Sequence, residues 1–101
     1  MNLTKYVMGL IDLKIKRPQM YSNCPYELAH EIQELLSILA VAKGATKARL
    51  DSTYKRADEE LGARFQKFPM RWEKDYEAKY WPQMMSTLIL IWAPTLLEEQ
   101  I

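Results

Sequence analysis

The amino-acid sequence predicts an all-α fold, a compact antiparallel bundle of four to five helices in a single domain over residues 1–101. Residues of high helix propensity are abundant, and glycine occurs only three times. The sequence contains no Asn-Gly or Asp-Gly pair, the strongest short signal of a β-hairpin. Apolar residues recur at steps of three and four along most of the chain, which is typical of amphipathic helices.

The first helix is predicted to span roughly residues 3–16. Asn2 is placed to cap its N terminus. Pro18 ends it near Lys16, because proline disfavours helical geometry in the residue before it. The apolar positions of this helix are Leu3, Tyr6, Val7, Leu10 and Leu13.

A second helix is predicted to begin at Pro25, since proline suits the first position of a helix. Glu27 then falls at the third position, where its carboxylate can reach back to the backbone of Cys24 as in a capping box. Gly44 suits the left-handed residue that follows a helix. The apolar stripe of this helix is Leu28, Ile32, Leu35, Leu39 and Ala42.

A third helix is predicted on the outside of the bundle, because its apolar stripe is narrow and the rest of its surface is charged. Gly62 costs about 1 kcal/mol relative to alanine in a helix, which predicts fraying or a kink before the break at Phe68 and Pro69. The stripe consists of Leu50, Tyr54, Ala57, Leu61 and Phe65.

Two further helices are predicted in the last third of the chain. One covers about residues 69–80, and the next starts or kinks at Pro82 and ends at Pro94, with one short helical turn beyond it. The helix over 82–93 is apolar almost all round, so we expect it at the centre of the bundle with the second helix. We also expect core positions for Trp72, Trp81 and Trp92.

Composition and charge exclude several classes of protein. The 14 Lys and Arg residues against 13 Asp and Glu give a net charge of +1, so the chain lacks the basic excess of many nucleic-acid-binding proteins. One cysteine excludes a disulfide scaffold and favours a reducing, cytoplasmic location. The start of the chain lacks the layout of a secretory signal, and the longest apolar run, residues 88–93, is far shorter than a membrane span of about 20 residues. We therefore expect neither a nucleic-acid partner nor a membrane.

The sequence offers few groups for catalysis, and we predict that the chain is not an enzyme. Cys24 and His30, the one histidine, are six residues apart, about 240° around a helix, so they cannot act as nucleophile and base on one helix face. Glu27 and His30 have the Glu-x-x-His spacing of a di-iron half-site, but the second histidine is absent. We expect no cofactor and no metal, and the alternative of a small metal protein predicts a site at His30, Glu27 and Glu31.

Charge patterning favours a protein partner. Basic and acidic residues are interleaved from Lys47 to Lys79, which predicts a surface of mixed sign rather than one suited to a polyanion. Three Trp and six Tyr exceed what a small core encloses, and Trp, Tyr and Arg dominate binding hot spots. We expect one or two of Tyr54, Tyr76 and Tyr80 to face the partner. The predicted contact residues are Arg49, Tyr54, Lys55, Asp58, Glu59, Tyr76 and Glu77.

The segment between the first two helices carries a short motif. Residues 17–21 read Arg-Pro-Gln-Met-Tyr, followed by a short loop and the start of the second helix. This Arg-Pro-x-Met-Tyr element resembles the start of small helical immunity proteins of contact-dependent inhibition and related polymorphic-toxin systems. The resemblance implies a protein that binds and neutralises a cognate bacterial toxin, such as a nuclease, by direct contact. Physically, we expect Met20 and Tyr21 to fold back as apolar anchors and Arg17 to cap carbonyls or face outward.

Two other functions fit the same composition. One is a phage or mobile-element inhibitor of a host defence or host enzyme, which genomic position would separate from an immunity protein. The other is a small homo-oligomeric adaptor, in which the exposed aromatic residues form a homodimer.

Overall fold

A computed structural model describes residues 2–64, 72 and 75–97 of the chain. These residues form five α-helices and a short 3₁₀ turn, with no strand among them, which confirms the predicted all-α bundle. The helices are α1 (Leu3–Lys16), α2 (Pro25–Ala42), α3 (Lys47–Arg64), α4 (Tyr76–Lys79) and α5 (Trp81–Leu97), and the 3₁₀ turn covers Pro18–Met20.

The bounds of α1 follow the prediction because local signals fix both ends. The Asn2 side chain accepts a hydrogen bond from the backbone N–H of Lys5 at 3.2 Å, which satisfies one of the unpaired donors of the first turn. The helix ends at Lys16, two residues before Pro18. Gly44 likewise follows α2 with a φ of 92°, as the sequence predicted.

The start of α2 differs from the prediction. Pro25 occupies the first turn as expected, but the backbone N–H of Cys24 donates to the Ser22 hydroxyl at 3.1 Å. Because that donor is bonded to Ser22, two residues earlier in the chain, the capping box predicted for Glu27 is wrong. The Glu27 side chain is exposed instead.

The predicted end of the last helix at Pro94 is also wrong, since α5 continues through Pro94 to Leu97. Pro94 lacks an N–H for the carbonyl of Leu90, but its ring is on the exposed side of the helix. Thr95 is fully buried, and its hydroxyl hydrogen bonds to Thr53 Oγ1 at 2.8 Å. Packing against α3 therefore holds the last turn in a helical conformation.

The helix predicted over residues 69–80 is much shorter in the structure. Asp75 has a φ of 68°, a left-handed conformation that interrupts a helix, and Trp72 is not helical. Only Tyr76–Lys79 forms α4. Residues 65–71, 73 and 74, with the predicted break at Phe68 and Pro69, lie outside the described residues, and α3 runs through Gly62 to Arg64.

Side-chain contacts define the directions of the helices. Lys14 Nζ lies 3.3 Å from the Glu31 carboxylate, and Thr4 at the start of α1 lines the same groove as Lys43 just after α2, so α1 and α2 are antiparallel neighbours. Trp81 Nε1 donates to the Ile15 carbonyl at 2.9 Å, which places the start of α5 beside the end of α1. Thr53, near the start of α3, bonds to Thr95 at the end of α5, and Arg64 at the end of α3 lines a hollow with Pro82 at the start of α5, so the two helices are antiparallel.

The core lies between α2, α3 and α5, as predicted for the second and last helices. Trp92 is fully buried, and its Nε1 donates to Gln33 Oε1 at 3.2 Å. Trp81 is buried too, and the half-buried Trp72 packs edge-on against it with 5.1 Å between ring centroids. The Cα atoms span 45 × 33 × 16 Å, so the helices form a flat body with large outer faces. Among the described helices, none has both the length and the apolar character needed to cross a membrane.

Candidate protein-contact surfaces

Three of the predicted contact residues are exposed on the outer side of α3. Lys55, Asp58 and Glu59 are three and four residues apart, so they share one side of the helix with Asp51. All four side chains are exposed. We call Asp51, Lys55, Asp58 and Glu59 the α3 face; it carries both signs of charge.

Arg49 and Tyr54 instead contribute to packing between helices. Arg49 Nε donates to Thr95 Oγ1 at 3.2 Å, which links α3 to the end of α5. The Tyr54 ring meets Trp92 edge-on with 5.1 Å between centroids, and its hydroxyl donates to the Gln33 carbonyl at 3.5 Å. These side chains hold α3 in place behind the α3 face.

The structure places Tyr76 in the core, with 7% of its surface exposed. Its ring lies between those of Trp72 and Tyr80, at centroid distances of 6.0 and 5.3 Å. Glu77 is half-buried beside it. Among the three tyrosines expected to face a partner, Tyr80 is the one that is clearly exposed.

The side chains of the Arg-Pro-x-Met-Tyr segment do not pack as predicted. Pro18 is buried, whereas Met20 is 72% exposed and Tyr21 is exposed beneath Lys14 Nζ, 4.8 Å from the ring centroid. The 3₁₀ turn explains the difference, because Pro18 occupies its inner side and the residues that follow are carried outward. The expectation that Met20 and Tyr21 anchor the turn is therefore wrong, and the exposed Arg17 faces outward.

The basic residues at the end of α1 are mostly paired. Lys14 forms an ion pair with Glu31 at 3.3 Å, and Lys16 pairs with Asp12 at 3.0 Å. Cations at this position also interact favourably with the helix dipole. This part of the molecule is therefore a neutralised helix end rather than a basic patch.

The residues considered for catalysis are in different environments. Cys24 is a buried thiol at the start of α2, and His30 is exposed with its ring 5.8 Å from that of Tyr26. An open hollow of about 140 Å³ lies between His30 and Asp58. Within the described part of the chain, no three His, Cys, Asp or Glu side chains are grouped so as to hold a metal ion.

A surface that the sequence reasoning missed lies on α5. The helix was expected to be buried almost all round, but Ile89, Leu90 and Leu97 are 45%, 72% and 80% exposed. With the half-buried Ala93 they share one side of the helix, which we call the α5 face. The sequence showed that this helix carries no charge, but the flatness of the bundle, which leaves one side of α5 uncovered, is seen only in the structure.

Comparison of the chain with protein-family models, curated proteins and solved structures finds no match. The described part of the molecule thus presents two outer faces of opposite chemistry, the charged α3 face and the uncharged α5 face.

Proposed function

We propose that this chain is an immunity protein, which binds a cognate bacterial toxin in the cytoplasm and neutralises it by direct contact. The observation that carries the proposal is the α3 face, where Lys55, Asp58 and Glu59 are exposed together on one rigid helix. The resemblance of residues 17–21 to the start of known immunity proteins supports the same function.

The charge pattern of the α3 face suits a protein partner. Complementary charges of both signs fix the register of a complex, accelerate association and exclude wrong partners. A polyanion would instead be bound by a surface of one sign. The α3 face has three carboxylates and one lysine, so the toxin surface that fits it is mainly basic and includes an acidic group opposite Lys55.

Preorganisation of α3 supports tight binding. Thr53 is bonded to Thr95, and Tyr54 packs on Trp92, so the inner side of α3 is fixed to α5 before any partner arrives. Because little backbone order must be gained on binding, less of the interaction free energy is lost to entropy. In this proposal the chain performs no chemistry and acts by covering the toxin.

Co-expression with the product of the neighbouring gene tests the proposal. That product alone should arrest growth, growth should recover when this chain is also expressed, and the two proteins should copurify. If the purified proteins form no complex at micromolar concentration, the immunity function is rejected.

A further inference from the structure

The α5 face is an apolar surface that no other described part of the chain covers. The residues from Trp81 to Leu97 include no Asp, Glu, Lys or Arg. One side of the helix is buried, and the opposite side presents Leu90 and Leu97 with most of their surface exposed. Exposed apolar patches of this kind mark interaction sites.

Hollows flank the α5 face on both sides. A groove of about 390 Å³ lies between α1, α2 and α5, and the charged residues among its described lining are Asp12 and Lys43. A hollow of about 590 Å³ lies on the other side, with Arg64 as its described charged residue. An apolar centre with charges at the edge is the usual layout of a protein interface. The aliphatic residues of the groove include Met8, Ile11, Ile15, Leu36, Leu39 and Leu96.

We propose that the α5 face binds a second copy of this chain, forming a two-fold dimer in which α5 of each copy packs into the groove of the other. The apolar area exposed on and beside the α5 face is close to what such a dimer interface needs. A dimer interface of about 800 Å² per copy that is about 65% apolar requires roughly 500 Å² of apolar surface from each copy. The exposed parts of Met8, Ile89, Leu90 and Leu97 supply on the order of 500 Å².

The charges at the edge of the face are complementary under the same symmetry. Ile15 accepts a bond from Trp81 at the start of α5, and Asp12, one turn earlier in α1, lines the groove with Ile89, so Asp12 lies beside the first half of α5. Arg64 lies beside the same half on the opposite side, where it lines the hollow with Pro82. A two-fold axis running along α5 exchanges the two sides, so Asp12 of one copy comes to lie beside Arg64 of the other.

Both residues of this cross-dimer pair are accessible. Asp12 and Arg64 form exposed pairs within their own helices, with Lys16 at 3.0 Å and Glu60 at 3.5 Å. Such exposed pairs contribute little to stability, so they do not prevent a new contact. In the dimer, the Asp12–Lys16 pair of each copy would lie beside the Arg64–Glu60 pair of the other, which gives one small ion-pair network at each edge of the apolar interface.

Analytical ultracentrifugation of the full chain alone, from micromolar to submillimolar concentration, tests the proposal independently of any toxin. The chain should be a dimer, and Leu90→Lys and Leu97→Lys should each raise the dissociation constant about 10-fold or more. Met20→Lys is the matched control, because Met20 is as exposed as Leu90 but lines neither hollow. Circular dichroism should show unchanged helix content in all three variants.

Charge reversal tests the direction of the two-fold axis. Asp12→Lys and Arg64→Glu should each weaken the dimer several-fold, about 3- to 10-fold, and the double variant should recover most of the loss. The proposal is overturned by a monomer at all concentrations, by a dimer insensitive to Leu90→Lys, or by a double variant weaker than both single variants. A monomer that instead binds phosphatidylglycerol vesicles through Leu90 would equally overturn it.

Discussion

Helices α3 and α5 have nearly the same length and pack against each other, yet their outer faces are chemically opposite. Nine of the 18 residues of α3 are charged, whereas none of the 17 residues of α5 is. Their inner sides are alike, because both bury small and apolar side chains around Trp92 and the bonded Thr53 and Thr95. Packing in the shared core therefore restricts which residues occupy the inner sides of the two helices, but not which occupy the outer sides.

From this difference we infer different partners for the two outer faces: the proposed toxin for the α3 face and a second copy of the chain for the α5 face. Water solvates the charged side chains of the α3 face, so their exposure costs little free energy when the chain has no toxin bound. The α5 face exposes aliphatic side chains whose burial is favourable whenever an apolar surface is available. A second copy of the chain provides such a surface, and the dimer proposed above needs no toxin.

Trp92→Ala should remove the largest side chain packed between α3 and α5 and give the largest loss of stability. It leaves a cavity beside Tyr54 and removes the donor to Gln33 Oε1, so we expect a loss of about 3–5 kcal/mol in the free energy of unfolding. Urea denaturation followed by circular dichroism measures it. Leu90→Ala, on the outer side of the same helix, should change the stability of the single chain by less than about 0.5 kcal/mol when it is measured at a protein concentration too low for a dimer. Equal losses in the two variants would contradict the assignment of inner and outer sides.

Reversing charges on the α3 face should weaken toxin binding without unfolding the protein. Asp58→Lys combined with Glu59→Lys should raise the dissociation constant about 10-fold, or 1.4 kcal/mol, mainly through slower association. Surface plasmon resonance at two salt concentrations measures both rate constants. Glu34→Lys is the control, since Glu34 is an exposed carboxylate in the middle of α2. An unchanged affinity in the double variant would remove the α3 face from the interface.

Thr95→Val should loosen the contact between α3 and α5 by a smaller amount. The Thr95 hydroxyl bonds to Thr53 and to Arg49, so its loss should lower the free energy of unfolding by about 1 kcal/mol. Thr87→Val is the matched control on the same helix, because the buried Thr87 hydroxyl donates only to the carbonyl of Gln83 one turn earlier. A larger loss in the Thr87 variant would show that the bond between the helices contributes nothing.

Gly62→Ala should have the smallest effect and stabilise α3. Gly62 lies inside the helix, and an added Cβ would meet no atom within 4 Å, so we expect a gain of about 0.5–1 kcal/mol. Gly44→Ala should have the opposite sign and cost about 1–2 kcal/mol, because Gly44 has a positive φ. Thermal unfolding of the two variants measures the difference in sign.

The sequence was sufficient for features that depend on neighbouring residues. Asn2 and Pro18 set the two ends of α1. The left-handed residue after α2 is a glycine, and the narrow apolar stripe of α3 leaves its other side exposed. The features that the sequence did not predict depend on contacts between residues far apart in the chain. The helical turn after Pro94 depends on the bond between Thr95 and Thr53, which is 42 residues earlier in the chain. Tyr76 is buried because its ring packs against those of Trp72 and Tyr80.

The candidate surfaces were predictable to different degrees. Lys55, Asp58 and Glu59 are opposite the apolar stripe of an amphipathic helix, so periodicity alone places them outside. Periodicity could not show that Tyr54 turns inward to Trp92, because a tyrosine is compatible with either side. Nor could it reveal the α5 face, since the number of helices that cover α5 depends on the fold.

The mass of the complex between this chain and the proposed toxin, measured by light scattering, tests most directly whether the two faces bind different partners. Two α5 faces joined in a dimer leave both α3 faces accessible, so the complex should contain two copies of the chain and two copies of the toxin. A complex of one chain and one toxin, or a toxin that converts the dimer into single chains, would contradict the assignment of separate partners to the two faces.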